Sequence, residues 1–127
     1  MFPAVAATVI AATGGAVFWS TEGAPPAPRP PAAADLEVTL HDARFGRDVY
    51  EIDAGRRARV RIVNRDRIIH TFTIPALGVD RGVSPGGSIV VELDAAQGEY
   101  AIYCRPHSDM SEPDPALAGM AARLVVK

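Results

Sequence analysis

The sequence predicts an all-β protein, an antiparallel Greek-key β-sandwich or small barrel carried behind one N-terminal transmembrane helix. Three observations lead there. Short segments alternate apolar and polar residues with a period of two, which sends successive side chains to opposite faces of a strand. Turn-forming clusters separate these segments, among them Asp53-Ala54-Gly55, Pro85-Gly86-Gly87 and Gln97-Gly98, and no convincing amphipathic helix competes with them. An uncharged apolar run from Ala4 to Ser20 stands alone at the N-terminus.

That run comes first in the chain. With Phe2 and Pro3 it is just long enough to cross a bilayer as a helix, since about 20 residues span roughly 30 Å. Phe18 and Trp19 stand where an interfacial aromatic belt belongs, while Gly14-Gly15 and the alanines weaken the hydropathy. The expectation is therefore a membrane anchor over residues 1–21. A cleaved signal peptide is the rival reading, opposed by the absence of Lys or Arg before the apolar run; a helix packed on protein is a third. Residues 22–34 are rich in proline and alanine, have no face to bury, and favour extended polyproline II, so they form a semi-rigid spacer.

Residues 35–127 make the folded unit. Leu36 to Leu40 alternates as a half-buried strand does, and Val49 to Ile52 is a second short candidate. Arg57 to Ile62 alternates more cleanly, with Ala58, Val60 and Ile62 inward and Arg57, Arg59 and Arg61 outward. His70 to Ile74 puts His70, Phe72 and Ile74 on one face. Ser88 to Leu93, Glu99 to Cys104 and Ala122 to Val126 complete seven strands.

Composition narrows the function. At 127 residues the chain has room for one domain and an appendage, not for two halves around a cleft. A net charge of −2 offers no basic field for nucleic acid, and the arginines form no run. One cysteine excludes an intrachain disulfide framework, a multi-thiolate zinc site, a four-cysteine iron–sulfur cluster and a binuclear copper centre needing two thiolates.

Five residues demand a chemical explanation: His70, Cys104, His107, Met110 and Met120. Cys104 ends a strand, and His107 follows after Arg105 and Pro106, so Cys-x-x-His sits on the turn leaving it. His70 lies on the inward side of an earlier strand, after the charged turn Asn64-Arg65-Asp66-Arg67. A sandwich brings such strand ends together at one pole. One thiolate, two imidazoles and a thioether are the ligand set of a mononuclear electron-transfer copper site, soft enough for Cu(I) and nitrogen-rich enough for Cu(II). Pro106 stiffens the loop between two of the donors, and Thr71, beside His70, is placed to supply a tuning hydrogen bond.

These residues resemble the cupredoxins, the small blue-copper proteins that include plastocyanin, amicyanin and pseudoazurin. The likeness is carried by the Leu36–Leu40 strand, by Ile68-Ile69-His70-Thr71-Phe72-Thr73-Ile74-Pro75, by Gly98-Glu99-Tyr100 leading into Tyr103-Cys104-Arg105-Pro106-His107, and by Gly119-Met120-Ala121-Ala122-Arg123-Leu124-Val125-Val126. It implies one type 1 copper with His70, Cys104 and His107 as equatorial ligands. The axial thioether has two candidates. Met110 has the short His-x-x-Met spacing of amicyanin, whereas Met120 directly precedes the closing strand, as the family's axial Met does. Between them lies an extra stretch, Ser111 to Ala118. Met120 is preferred, because position against the last strand governs geometry while an inserted loop can bulge outward.

The resemblance implies single-electron transfer rather than bond chemistry, with redox protein partners such as a cytochrome or a membrane electron-transfer complex. The domain is expected on the periplasmic, extracytoplasmic side of the membrane. An accessory subunit of a larger respiratory or photosynthetic complex, with or without copper, is the alternative, resting on the anchor and spacer. A Cys–His hydrolase built on Cys104 and Asp109 is disfavoured, since so small a domain offers no substrate cleft. His41 has no partner pattern and reads as a surface residue. Arg57, Arg59 and Arg61 read as a solvated strand face, or else as a docking face for an acidic partner.

Overall fold

A computed structural model describes residues 33–127. The anchor over 1–21 lies outside the described residues, as does the spacer up to residue 32. Among the described residues no helix is long and apolar enough to cross a membrane.

Among the described residues nine strands follow one another: β1 (Leu36–His41), β2 (Arg44–Phe45), β3 (Val49–Ile52), β4 (Ala58–Asn64), β5 (His70–Ile74), β6 (Val79–Val83), β7 (Ser88–Leu93), β8 (Gly98–Ser108) and β9 (Gly119–Val126). They form a four-stranded sheet, β2-β1-β4-β7, and a five-stranded sheet, β3-β9-β8-β5-β6. The two apolar faces share one core, as a sandwich requires. Val38, Leu40, Val60, Ile62, Val91 and Leu93 face it from one sheet; Tyr50, Phe72, Ile74, Ile102, Leu124 and Val126 face it from the other. Burial of each such side chain stabilises the fold by about 1.5–3 kcal/mol before entropy is subtracted.

The expected sandwich is therefore present, but its sheets are mixed. β1 pairs with β4 in parallel, Leu36 opposite Val60 through Leu40 opposite Asn64, and β3 pairs with β9 in parallel. β3 joins the five-stranded sheet although β2 and β4, on either side of it in the chain, belong to the other. That crossing between sheets gives parallel neighbours, which no hairpin can join. β2 and β6 were not apparent from alternation. β2 has only two residues, and β6 (VDRGV) is an edge strand whose middle is exposed and polar.

On β4, Ala58, Val60 and Ile62 are buried as the alternation requires. Their outward neighbours pair with carboxylates of the same sheet: Arg57 and Arg59 share Glu92 at 3.4 and 3.6 Å, and Arg61 approaches Glu37 at 3.1 Å. This pairing favours a solvated strand face over an acid-seeking docking patch. β5 departs from the pattern, because all five of its residues are buried. Thr71 and Thr73 point away from the core yet are covered by a polar network described below.

Antiparallel β5 and β8 pair Thr73 with Tyr103, so the start of β5 and the end of β8 share one pole of the sandwich. The β1–β2 turn, the loop from Asn64 to His70 and the start of β9 meet at the same pole.

Candidate metal centre

Cys104 reaches this pole on β8, where Ile102, Tyr103 and Cys104 are consecutively buried. The strand continues to Ser108, so Cys-x-x-His occupies the irregular end of β8 rather than a turn beyond it. The β8–β9 register shifts between Tyr103 and Ser108. Pro106 lies inside that shift and has no N–H to give to a ladder. The irregular backbone lets Cys104 and His107 face the same point.

The structure brings His70, Cys104 and His107 together, with one donor atom from each within 4.8 Å of the others. His70 Nδ1 lies 3.3 Å from His107 Nδ1 and 3.6 Å from Cys104 Sγ, and His107 Nδ1 lies 3.2 Å from the same sulfur. Separations of this size suit atoms around one small ion bonded at about 2.0–2.3 Å. The donor chemistry fits copper: one soft thiolate and two imidazoles satisfy both oxidation states. His70 and Cys104 are fully buried, whereas His107 is partly exposed. The two imidazole rings meet edge-on, 65° apart.

Thr71 supplies its hydrogen bond through the backbone. Its N–H donates to Cys104 Sγ at 3.4 Å, stabilising negative charge on sulfur. The Thr71 hydroxyl accepts from the Arg105 N–H at 2.8 Å and pairs with Thr73 Oγ1 at 3.0 Å. Thr73 Oγ1 donates to Asp80 Oδ1, which also takes Arg105 Nε at 2.9 Å. Arg105 and then Thr73 hold the Asp80 carboxyl below its ordinary range. This chain ties the neighbour of Cys104 to the neighbour of His70 across β8, β5 and β6.

Behind His70 stands a carboxylate that alternation could not reveal. Asp66 Oδ2 lies 2.7 Å from His70 Nε2. The Ala43 amide, then His70, then the Asp42 amide hold the Asp66 carboxyl well below the usual carboxylate range. His41, as expected, is a surface residue, but its Nδ1 lies 3.5 Å from Asp66 Oδ1. The spacing of four between Asp66 and His70 was the one available signal, and in a turn that spacing has no fixed meaning.

Asn64, at the end of β4, shapes the loop that carries Asp66. It is 1% exposed; its Nδ2 donates to Ile68 O and Val83 O, and its Oδ1 accepts from Asp66 N. Asn64→Ala leaves three polar groups without that partner and is expected to cost about 2 kcal/mol, each unsatisfied buried group costing about 1–3 kcal/mol where water does not replace the bond. A shift of the urea midpoint with an unchanged slope measures it.

The two methionines are placed differently. Met120, near the start of β9, is 3% exposed and belongs to the same apolar cluster as Cys104. Met110 is 36% exposed on the loop after His107. That loop does not simply bulge away. The Asp109 N–H donates to Ala118 O at 2.8 Å, closing its neck, and Tyr103 Oη donates to Glu112 O. A short 3-10 turn, Pro115–Leu117, begins with buried Pro115. Pro113, Asp114 and Pro115 line an open cavity of about 430 Å³ together with Glu99, Ala101 and Arg123 of β8 and β9. The inserted stretch therefore folds back along the outer side of these strands.

Two sheets enclosing a buried thiol, with two imidazoles converging on it at one pole, define a small β-sandwich carrying a donor group that could hold a metal ion. The comparisons are more specific. A family model described as a cupredoxin-like domain matches residues 9–112, and the chain belongs to that family. The fold is similar to that of an amicyanin variant solved in the Cu(I) form, with a TM-score of 0.57 and 16% identity, covering 77% of this chain and 87% of that one. It is also similar to dithionite-reduced auracyanin from the photosynthetic bacterium Roseiflexus castenholzii, with a TM-score of 0.55 and 15% identity, covering 76% of this chain and 99% of that one. Another amicyanin variant, solved oxidised, has a TM-score of 0.52 and 18% identity over 72% of this chain and 81% of its own. No curated protein matches this chain by sequence.

Proposed function

We propose that this protein carries single electrons on one type 1 copper held by His70, Cys104 and His107, with Met120 as the weak axial ligand. One observation carries the reading: in a cupredoxin-like fold, the donor atoms of His70, Cys104 and His107 converge within 4.8 Å of one another. A copper ion held there supplies one-electron exchange between Cu(I) and Cu(II). Cys104, sealed from solvent, supplies a thiolate whose charge the Thr71 amide stabilises. His107 connects the buried cluster to the surface and is the edge for electron entry and exit. Similar folds solved in oxidised and reduced forms support a redox role. Nothing in this arrangement activates a substrate, since the sulfur has no exposed surface to attack from, and the protein is read as a carrier, not an enzyme.

The charge-free run Ala4–Ser20 supports anchoring of this carrier in a membrane, with the domain on the extracytoplasmic side. Tethering raises the local concentration near membrane redox partners, such as a cytochrome or an electron-transfer complex.

The test is copper itself. Purified protein loaded with Cu(II) and freed of excess is expected to hold one copper per chain, with an intense visible thiolate-to-copper band that dithionite bleaches. A colourless protein holding no copper overturns the reading. Met120→Leu is expected to shift the reduction potential while keeping the copper, since an axial thioether tunes more than it binds. Met110→Leu is expected to leave the potential unchanged. The opposite outcome assigns the axial position to Met110.

A further inference from the structure

We propose that Asp66 is a positioning residue for His70, and that the strained β1–β2 turn holds its carboxylate in place to favour the Cu(II) state. The inference rests on the copper reading above and adds a residue outside the ligand set.

The geometry begins with protons. An ionised carboxylate only accepts hydrogen bonds, so the 2.7 Å contact to Asp66 Oδ2 requires the hydrogen of a neutral His70 to sit on Nε2. The Nδ1 lone pair then faces Cys104 Sγ and His107 Nδ1. The other tautomer would aim a hydrogen into the cluster and oppose a metal there. Asp66 thus selects the tautomer that binds, as carboxylates behind metal-bound histidines do.

The carboxylate is itself fixed from two sides. Asp42 N–H donates to Oδ1 at 2.8 Å, and Ala43 N–H donates to Oδ2 at 2.9 Å. Both donors sit at φ 55, the left-handed region, in the two-residue connection between paired His41 and Arg44. Turns of this kind favour Asn-Gly or Asp-Gly. Ala43 has no side chain able to compensate and is held there against the steric preference of an L-residue. The conformation aims two successive amides at one carboxylate. From the inner side, the Asp66 N–H donates to Asn64 Oδ1, and the Gly86 N–H donates to Asp66 O. The four-stranded sheet thereby buttresses a ligand that belongs to the other sheet.

A fixed negative charge bonded to the far side of an imidazole makes Nδ1 the stronger donor and favours the more highly charged metal. Replacing Asp66 with the isosteric Asn is expected to weaken Cu(II) binding by about 10–100-fold, the usual effect of losing such a partner, with less effect on Cu(I). Each tenfold loss selective for Cu(II) raises the reduction potential by about 59 mV. Asp42→Asn is the control, because it removes a neighbouring charge, keeps the amide and does not touch His70. Its Cu(II)/Cu(I) selectivity is expected to stay within twofold of the wild type.

The experiment is protein-film or solution voltammetry on full-length wild-type, D66N and D42N proteins, with ¹⁵N-resolved NMR of His70 in metal-free wild type. A raised potential in D66N alone, with Nε2-protonated His70, supports the proposal. Equal shifts in D66N and D42N, or no shift in either, overturn it, as does an Nδ1-protonated or mixed tautomer. If D66N does not fold, the wild-type tautomer decides. If wild-type protein holds no copper, the functional reading fails, and the tautomer still decides whether Asp66 positions His70.

Discussion

Cys104→Ser is expected to abolish tight copper binding and visible colour while leaving the sandwich folded. The sulfur is the only soft anionic donor in the cluster, facing both imidazole Nδ1 atoms at 3.6 and 3.2 Å. Serine replaces it with a shorter, harder oxygen that remains protonated at neutral pH, so the two imidazoles lose the charge that would hold Cu(II) beside them in the proposed site. Placing a buried hydroxyl there costs up to about 1–3 kcal/mol if it finds no partner. The same two Nδ1 atoms are close enough to provide one, which is why folding is expected to survive. Metal content, the visible spectrum and a thermal melt of the serine variant check the three parts separately. Retained copper with an unchanged band would remove the thiolate from the site.

Gly119→Ala is expected to give the largest loss of stability from a single methyl group at this pole, about 2–4 kcal/mol from backbone strain and overpacking together. Gly119 has φ 94, and a Cβ built on it would lie 2.7 Å from the His107 carbonyl oxygen. A side chain in that backbone region costs about 1–3 kcal/mol by itself, and here the obstacle is backbone that cannot swing aside. Gly119 pairs with Ser108, and the Ser108 hydroxyl donates to the Met120 carbonyl, so relief of the clash displaces both the end of β8 and the start of β9. Copper binding should weaken with stability, because His107 and Met120 sit on the two displaced segments. Gly86→Ala is the comparison: Gly86 also has positive φ, 70, but a Cβ there meets nothing within 4 Å. Its cost is expected near 1 kcal/mol. Equal urea midpoints for the two alanine variants would show that the approach to His107 is not tight.

Much of the fold was legible because strands write their burial into the chain with period two. Val38 and Leu40, then Ala58, Val60 and Ile62, announce their inward faces without reference to any partner. The same holds for the trio His70, Cys104 and His107, whose residue types and strand-end positions pointed to one pole. β6 was illegible for the complementary reason. An edge strand with an exposed polar middle has little burial to encode, and its existence depends on the unsatisfied edge of β5. Thr71 and Thr73 look like the solvent face of β5, and only the folded network through Asp80 and Arg105 explains their burial.

By itself, then, the sequence determined the all-β architecture, the inward faces of most strands and the three side chains whose chemistry fits copper. Those properties follow from local covalent geometry and from donor chemistry, both carried by the residues themselves. Tertiary structure alone decided the parallel pairing of β1 with β4, the return of the 109–118 segment along β8 and β9, the burial that separates Met120 from Met110, and the carboxylate behind His70. Each of these depends on how segments distant in the chain are registered against one another. The Asp66–His70 contact, in particular, exists because two left-handed residues of another sheet's turn hold the carboxylate where the imidazole needs it.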